Sequence, residues 1–221
     1  MKLLFQAAAK FAAGIAMIGL LLFLPAGTPN YAGGWRLCAL LFIPMLILGA
    51  VLFFKAPELL KKRLASKEKE TEQKQVIGLS LLMFIGGFVI AGLDFRFGWS
   101  QLPRWAVNAA SVILLLSYGL YAEVMRENAY LSRTVEVQEG QKVIDTGLYG
   151  VVRHPMYMAS TFLFLSMPLV LGSIPAFVVF LIYPILLVKR IKNEEAVLEE
   201  GLPGYREYKQ KVKYRMIPFI W

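Results

Sequence analysis

The sequence predicts an all-α integral membrane protein with about six transmembrane helices, five being the alternative count. Three observations carry that prediction. Hydrophobic residues fill 57% of the 221 positions. Mean hydropathy is +0.57. Several apolar runs approach the roughly 20 residues needed to cross a bilayer, where a soluble domain shows shorter amphipathic stretches. A lone cysteine, Cys38, excludes an intramolecular disulfide. One cysteine and one histidine exclude a His/Cys zinc cluster, and no metal ligand is assigned, although a carboxylate site stays open. The net charge of +9 would suit nucleic acid, but basic residues gather in cytoplasmic loops of membrane proteins, so no nucleic-acid partner is expected.

Lys2 and Lys10 precede the first apolar run, Phe11 to Pro25, or Leu3 onward if Lys10 snorkels to the interface. A second span follows closely and no small-residue cleavage site separates the two, so the first reads as a retained signal-anchor. Should it only lie in the interface, the count falls to five. The uncharged turn Gly27–Gly34 leads to a second span, Arg36–Phe54. Lys55 to Lys74 is highly charged and reads as helical extensions with a solvated or lipid-contacting face. The third span, Val76–Leu93, carries Gly86, Gly87 and Gly92, small residues that permit close helix contact. A short loop, Asp94–Arg104, separates it from the fourth span, Trp105–Glu123. A long polar loop reaches the fifth span, Pro155–Leu171, and a turn at Gly172, Ser173 and Pro175 enters the sixth, Ile174–Val188. Pro184 should kink that last span and free a carbonyl near Phe180. Lys189–Lys213 reads as an amphipathic helical region broken near Gly201, Pro203 and Gly204.

Lys and Arg crowd the loops after spans two and four and the carboxyl-terminal segment, which places both termini in the cytoplasm. Residues 1–125 form a transmembrane unit of four spans, and 126–221 the polar unit with the candidate chemistry. The charge-free mid-span positions argue against a transporter, which gathers ionisable groups at the midplane. A non-enzymatic transporter or scaffold remains the alternative from outside enzymology.

The stretch Asp145–Tyr157, D-T-G-L-Y-G-V-V-R-H-P-M-Y, joins the polar loop to the fifth span and holds the sole histidine. Arg153, His154 and Tyr157 gather there, and Pro155 suits the first turn of a helix. Further on, Arg190 and Glu194 are four apart and share a helix face, with Glu195 beside them and Glu199 one turn later. By themselves these charges read equally as a surface ion pair, worth under about 1 kcal/mol.

The run from Glu127 to Tyr157, followed by R-I-K-N-E-E and P-G-Y-R-E-Y, resembles the isoprenylcysteine carboxyl methyltransferase family and, more loosely, the phospholipid N-methyltransferases. The resemblance covers about Glu127 to Trp221. It implies S-adenosylmethionine as methyl donor, in a cytoplasm-facing pocket touched by Gln141, Lys142, Val143, Ile144, Tyr149, Arg153, His154, Pro155, Met156, Tyr157 and Glu194. It places Arg190 against the acceptor's carboxylate. Gln141 stands where the family often has His, Leu148 where Pro is common, and Gly150 where a larger residue is usual. The acceptor implied is a hydrophobic, lipid-like molecule arriving from the surrounding membrane lipids. A carboxylate acceptor is already ionised at neutral pH and needs no base, whereas an amine acceptor would make Glu195 or His154 the proton acceptor. The host membrane would be a bacterial inner membrane or the endoplasmic reticulum. Membrane sterol reductases, which use NADPH, share an R-H-P-x-Y cluster and a similar tail. Their cluster usually has Asn at the position of Met156.

Overall fold

The computed structural model describes residues 2–64, 71–132 and 135–221, and among these every regular element is helical. Nine helices follow in order: α1 Lys2–Ala26, α2 Ala32–Lys55, α3 Pro57–Leu64, α4 Thr71–Phe97, α5 Arg104–Glu127, α6 Pro155–Val170, α7 Ile174–Phe180, α8 Ile182–Gly201 and α9 Tyr205–Lys211. A 3₁₀ turn, Gly147–Gly150, precedes α6. Among the described residues, five segments are long and apolar enough to cross a membrane: Leu3–Ala26, Ala32–Lys55, Gln73–Phe97, Arg104–Glu127 and Ile174–Gly201, the last joining α7 and α8.

One further apolar helix, α6, has only 16 residues. At about 1.5 Å per residue it is roughly 24 Å long, short of the ~30 Å hydrocarbon core. The short helix is therefore the fifth in order and not the first, since α1 runs 25 residues. The shortfall has a consequence for the site. Helices α6 and α7 share the Gly172–Ser173 turn at one end of the bundle, so the missing length falls at the other end, where the Arg-His-Pro motif begins. Meanwhile the 28 residues of the Ile174–Gly201 segment overshoot that core by several residues. The motif is thus recessed, and Arg190 and Glu194 descend beside it.

The break between α7 and α8 falls at Leu181. Its cause is Pro184, which has no N–H for the carbonyl of Phe180. The charged stretch after α2 forms α3, turned at Ala56; residues 65–70, which carry Lys67 and Lys69, lie outside the described set.

Packing in the apolar middle relies on van der Waals fit, because lipid tails are as apolar as Leu and give helices no hydrophobic reason to associate. Phe84, Phe164, Phe180 and Tyr183 meet edge to face there. Helices α1 and α4 cross at Gly92, where an added Cβ would stand 2.6 Å from the Leu22 carbonyl oxygen. At Gly87 the obstacle is the ring of Phe180, whereas Gly86 has nothing within 4 Å and plays no part in close contact. Gly92→Ala should therefore lower thermal stability in detergent by about 1–3 kcal/mol, the range for overpacking. Gly86→Ala, as control, should leave the melting temperature unchanged.

Candidate functional site

The site begins with a backbone rule. A residue before proline is steered away from the α conformation, and His154 accordingly sits at φ −125°, ψ 61°, outside the helix that Pro155 starts. The imidazole stacks on the Tyr157 ring of α6, with centroids 5.6 Å apart. The carboxyl-terminal segment then locks the motif: Arg153 N–H donates to the Tyr214 carbonyl at 2.9 Å and His154 N–H to the Arg215 carbonyl at 2.7 Å. Upstream, Gly147 adopts φ 52°, and an added Cβ would fall 1.5 Å from Glu127 Oε1. The Glu127 carboxylate accepts the Leu148 N–H at 3.0 Å. This backbone route needs a glycine, and it delivers Tyr149 buried against the cleft.

Helix α9 clamps the same loop. Tyr208 donates its hydroxyl to the Tyr149 carbonyl at 2.7 Å, and Lys211 pairs with Asp145 at 2.7 Å. Lys211 also holds the Asp145 carboxyl below the usual carboxylate range.

These elements enclose a cleft with about 860 Å³ of empty space, partly open to solvent, at the α3, α5 and α8 end of the bundle. Gln141, Lys142, Val143 and Ile144 form one wall. Tyr149, His154, Met156 and Tyr157 form another, and Arg190 and Glu194 descend from α8. Within it Arg190 Nε donates to the Tyr157 hydroxyl at 2.8 Å, and that hydroxyl donates to Glu194. The Arg190 guanidinium also lies over the Tyr157 ring. A cation, a phenol and a carboxylate are thus held in one line on the cleft wall.

Glu195 is the main correction. It is 2% exposed and does not border the cleft. Behind the wall, its Oε1 accepts from Arg153 Nε at 2.7 Å and faces His154 Nε2 at 3.3 Å, while its Oε2 accepts from Arg215 Nε at 2.9 Å. A carboxylate engaged this way braces the Arg-His-Pro motif and is not placed to take a proton from a substrate. Arg153 borders the cleft, but its guanidinium points backward: besides Glu195 it bonds the Val212 carbonyl at 2.6 Å and the Lys213 carbonyl at 2.9 Å. Pro155 likewise does not border the cleft; it is buried at the first position of α6.

Sequence reasoning missed the far wall. Tyr205 and Tyr208 of α9, with Leu198 and Leu202, close the cleft, and Asn128 donates to the Tyr149 hydroxyl at 2.9 Å. A signal existed in P-G-Y-R-E-Y, whose two tyrosines are three apart and share a helix face. Arg63 is the other omission. From α3 it reaches the carbonyl of Ser132 at 3.2 Å, Met156 Sδ at 3.6 Å and the Tyr121 hydroxyl. No sequence pattern connects it to a motif some 90 residues away.

The Tyr205 hydroxyl is buried and has no hydrogen-bond partner among the described residues. Burial, followed by the nearby Glu195 and Glu194 carboxylates, raises its ionisation well above the ordinary phenol value. It stays protonated, a buried donor without an acceptor among the described residues, carried by a side chain that lines the cleft. An unpaired buried polar group costs about 1–3 kcal/mol.

Comparison with known proteins adds three findings. The profile of the isoprenylcysteine carboxyl methyltransferase (ICMT) family matches residues 109–200. The solved structure of a eukaryotic intramembrane Ras methyltransferase, an isoprenylcysteine carboxyl methyltransferase, superposes over 96% of this chain and 86% of its own with a TM-score of 0.50 at 17% identity, which speaks to the fold. Among curated proteins, a mouse Delta(14)-sterol reductase is 28% identical over 91 residues, 40% of this chain and 22% of its own. The Delta(14)-sterol reductase of Methylotuvimicrobium alcaliphilum is 25% identical over 137 residues, 55% of this chain and 32% of its own. The chain spans a third or less of the length of these two relatives. The matched segment, under half of the chain, holds the loop, the Arg-His-Pro motif, α6, α7 and nearly all of α8, so this part of the chain is similar to the isoprenylcysteine carboxyl methyltransferase family, and the whole chain shares the membrane fold of that solved structure.

Proposed function

We propose that this protein transfers a methyl group from S-adenosylmethionine to the carboxylate of a lipid-like, isoprenylcysteine-type acceptor drawn from the bilayer. In this reading residues 126–221 form the catalytic unit, 1–125 hold it in the membrane, and both termini face the cytoplasm. The observation that carries it is the Arg190–Tyr157–Glu194 line on the wall of a recessed cleft beside the unpaired Tyr205 hydroxyl.

The residues present fit the donor. It bears an ammonium and a carboxylate as well as a sulfonium, so its pocket needs both signs of charge and apolar surface. Glu194 supplies the negative charge; Val143, Leu198 and Leu202 supply apolar walls; and the Tyr205 O–H supplies a donor. When bound, S-adenosylmethionine provides an electrophilic methyl group. The protein's part is then positioning and exclusion of water. Tyr157 holds Glu194 in one orientation through its hydroxyl, and the charge of Arg190 attracts an anionic acceptor to the same edge. A carboxylate acceptor fits better than an amine. It needs no base, and the candidate bases are already engaged: Glu195 by two arginines, Glu194 by Tyr157.

The sterol-reductase similarity favours a second reading, hydride transfer from NADPH in the same cleft. Calorimetric titration of the purified protein with S-adenosylhomocysteine and, separately, NADPH distinguishes the two. Saturable binding of the former, weakened about tenfold or more in Glu194→Gln as expected for a lost charge-assisted hydrogen bond, supports methyl transfer. Binding of NADPH alone supports reduction. Tyr205→Phe adds a sharper check. It removes an unsatisfied group, so stability should hold or rise, while S-adenosylhomocysteine affinity should fall several-fold.

A further inference from the structure

A second cavity opens at the other end of the bundle, between α2, α5 and the α6–α7 turn, with about 1070 Å³ of empty space that includes its open mouth. Its walls mix two kinds of group. Phe95, Leu102 and Val107 are apolar, whereas Arg36, Arg104, Asn30 and Asn108 are polar or cationic. Tyr31 closes the floor, buried and donating its hydroxyl to the Leu171 carbonyl at 3.1 Å.

The depth of this cavity follows from its neighbours. Trp35, Trp99 and Trp105 are all exposed, and two of them adjoin Arg36 and Arg104 in sequence. Exposed tryptophans mark the headgroup level of a bilayer, so the two guanidiniums stand where lipid phosphates lie. Charge at this end is also one-sided. Its cations among the described residues are Arg36, Arg96 and Arg104, with no lysine, while the lysines collect at the cleft end. Arginine's planar fork suits a phosphate better than a lysine's point charge. The acid nearby, Asp94, is 2% exposed, and both its oxygens are taken by Ser100, at 2.7 Å from the backbone N–H and 2.6 Å from the hydroxyl. It leaves the arginines uncompensated. Arg36 donates to Asn108 Oδ1 at 3.3 Å, which orients its guanidinium across the cavity, and Arg104 is exposed with no bonded partner among the described residues.

From this juxtaposition we propose that the cavity is a binding site for an anionic glycerophospholipid of that leaflet. Arg36 and Arg104 hold the phosphate, Asn30 and Asn108 face the polar headgroup, and the acyl chains descend along Leu102 and Val107. The site is remote from the methyl-transfer cleft and does not depend on the chemistry assigned there.

The test is native mass spectrometry of the full chain released from detergent after incubation with phosphatidylglycerol, phosphatidylcholine or inorganic phosphate. Wild type should retain one phosphatidylglycerol in clear preference to phosphatidylcholine. The Arg36→Gln/Arg104→Gln pair should retain it about tenfold less, the loss expected for a charge-assisted contact. Melting in lipid-free detergent should match wild type; if the pair does not fold, Arg104→Gln alone, an exposed change, carries the comparison. Arg104→Lys should fall between the two, because charge persists without the fork. Equal retention by wild type and variants overturns the proposal. So does inorganic phosphate displacing the lipid at low millimolar concentration, which would make this a free-anion site.

Discussion

Glu195→Ala is expected to cost about 3–5 kcal/mol of stability, the range for breaking a buried ion pair by removing one partner. For a chain of this size that corresponds to a fall in melting temperature of roughly 10 °C. The reason is what remains behind. Arg153, with 4% of its side chain exposed, would keep a guanidinium aimed at an empty position. His154 and Arg215 would lose the same oxygen pair that ties the carboxyl-terminal segment to the motif. Glu194→Ala, one residue earlier, should do the opposite: lose S-adenosylhomocysteine binding while melting within a few degrees of wild type. Adjacent glutamates thus separate by experiment, thermal unfolding reading one and calorimetry the other. If Glu195→Ala melted like wild type but lost turnover, Glu195 would belong to the chemistry after all.

The second large effect is on turnover. Arg190→Lys keeps a positive charge but removes the planar fork and the Nε–H that meets the Tyr157 hydroxyl. With a farnesylated cysteine as acceptor and the donor saturating, kcat/KM should fall about a hundredfold, the lower end of what removal of one transition-state donor costs. Affinity for S-adenosylhomocysteine should change little. Equal losses in donor affinity and in turnover would place Arg190 on the cofactor and leave the acceptor's carboxylate to another cation.

Much of this protein was legible from its residues alone. Apolar runs of bilayer length announce helices, because no other open backbone arrangement survives in hydrocarbon. Pro155 and Pro184 marked a helix start and a helix break for a local steric reason, and both fall where expected. Arg190 and Glu194 share a face through helical periodicity, and they border the cleft together.

What local rules could not decide is which of two neighbouring glutamates faces the cleft. Positions 194 and 195 differ by about 100° around α8, and their fate depends on what α6 and the carboxyl-terminal segment place on each side. Nor could they foresee Arg63, since contact over some 90 residues leaves no period to read, and for the α9 tyrosines they gave a shared helix face but not what that face would meet. The recess of the Arg-His-Pro motif is of the same kind. It follows from α6 being short beside a long α7–α8 pair that shares its turn. The sequence alone therefore determined membrane helices, their breaks and a motif at their border. Tertiary packing decided which charges became wall, which became brace, and how deep the cleft lies.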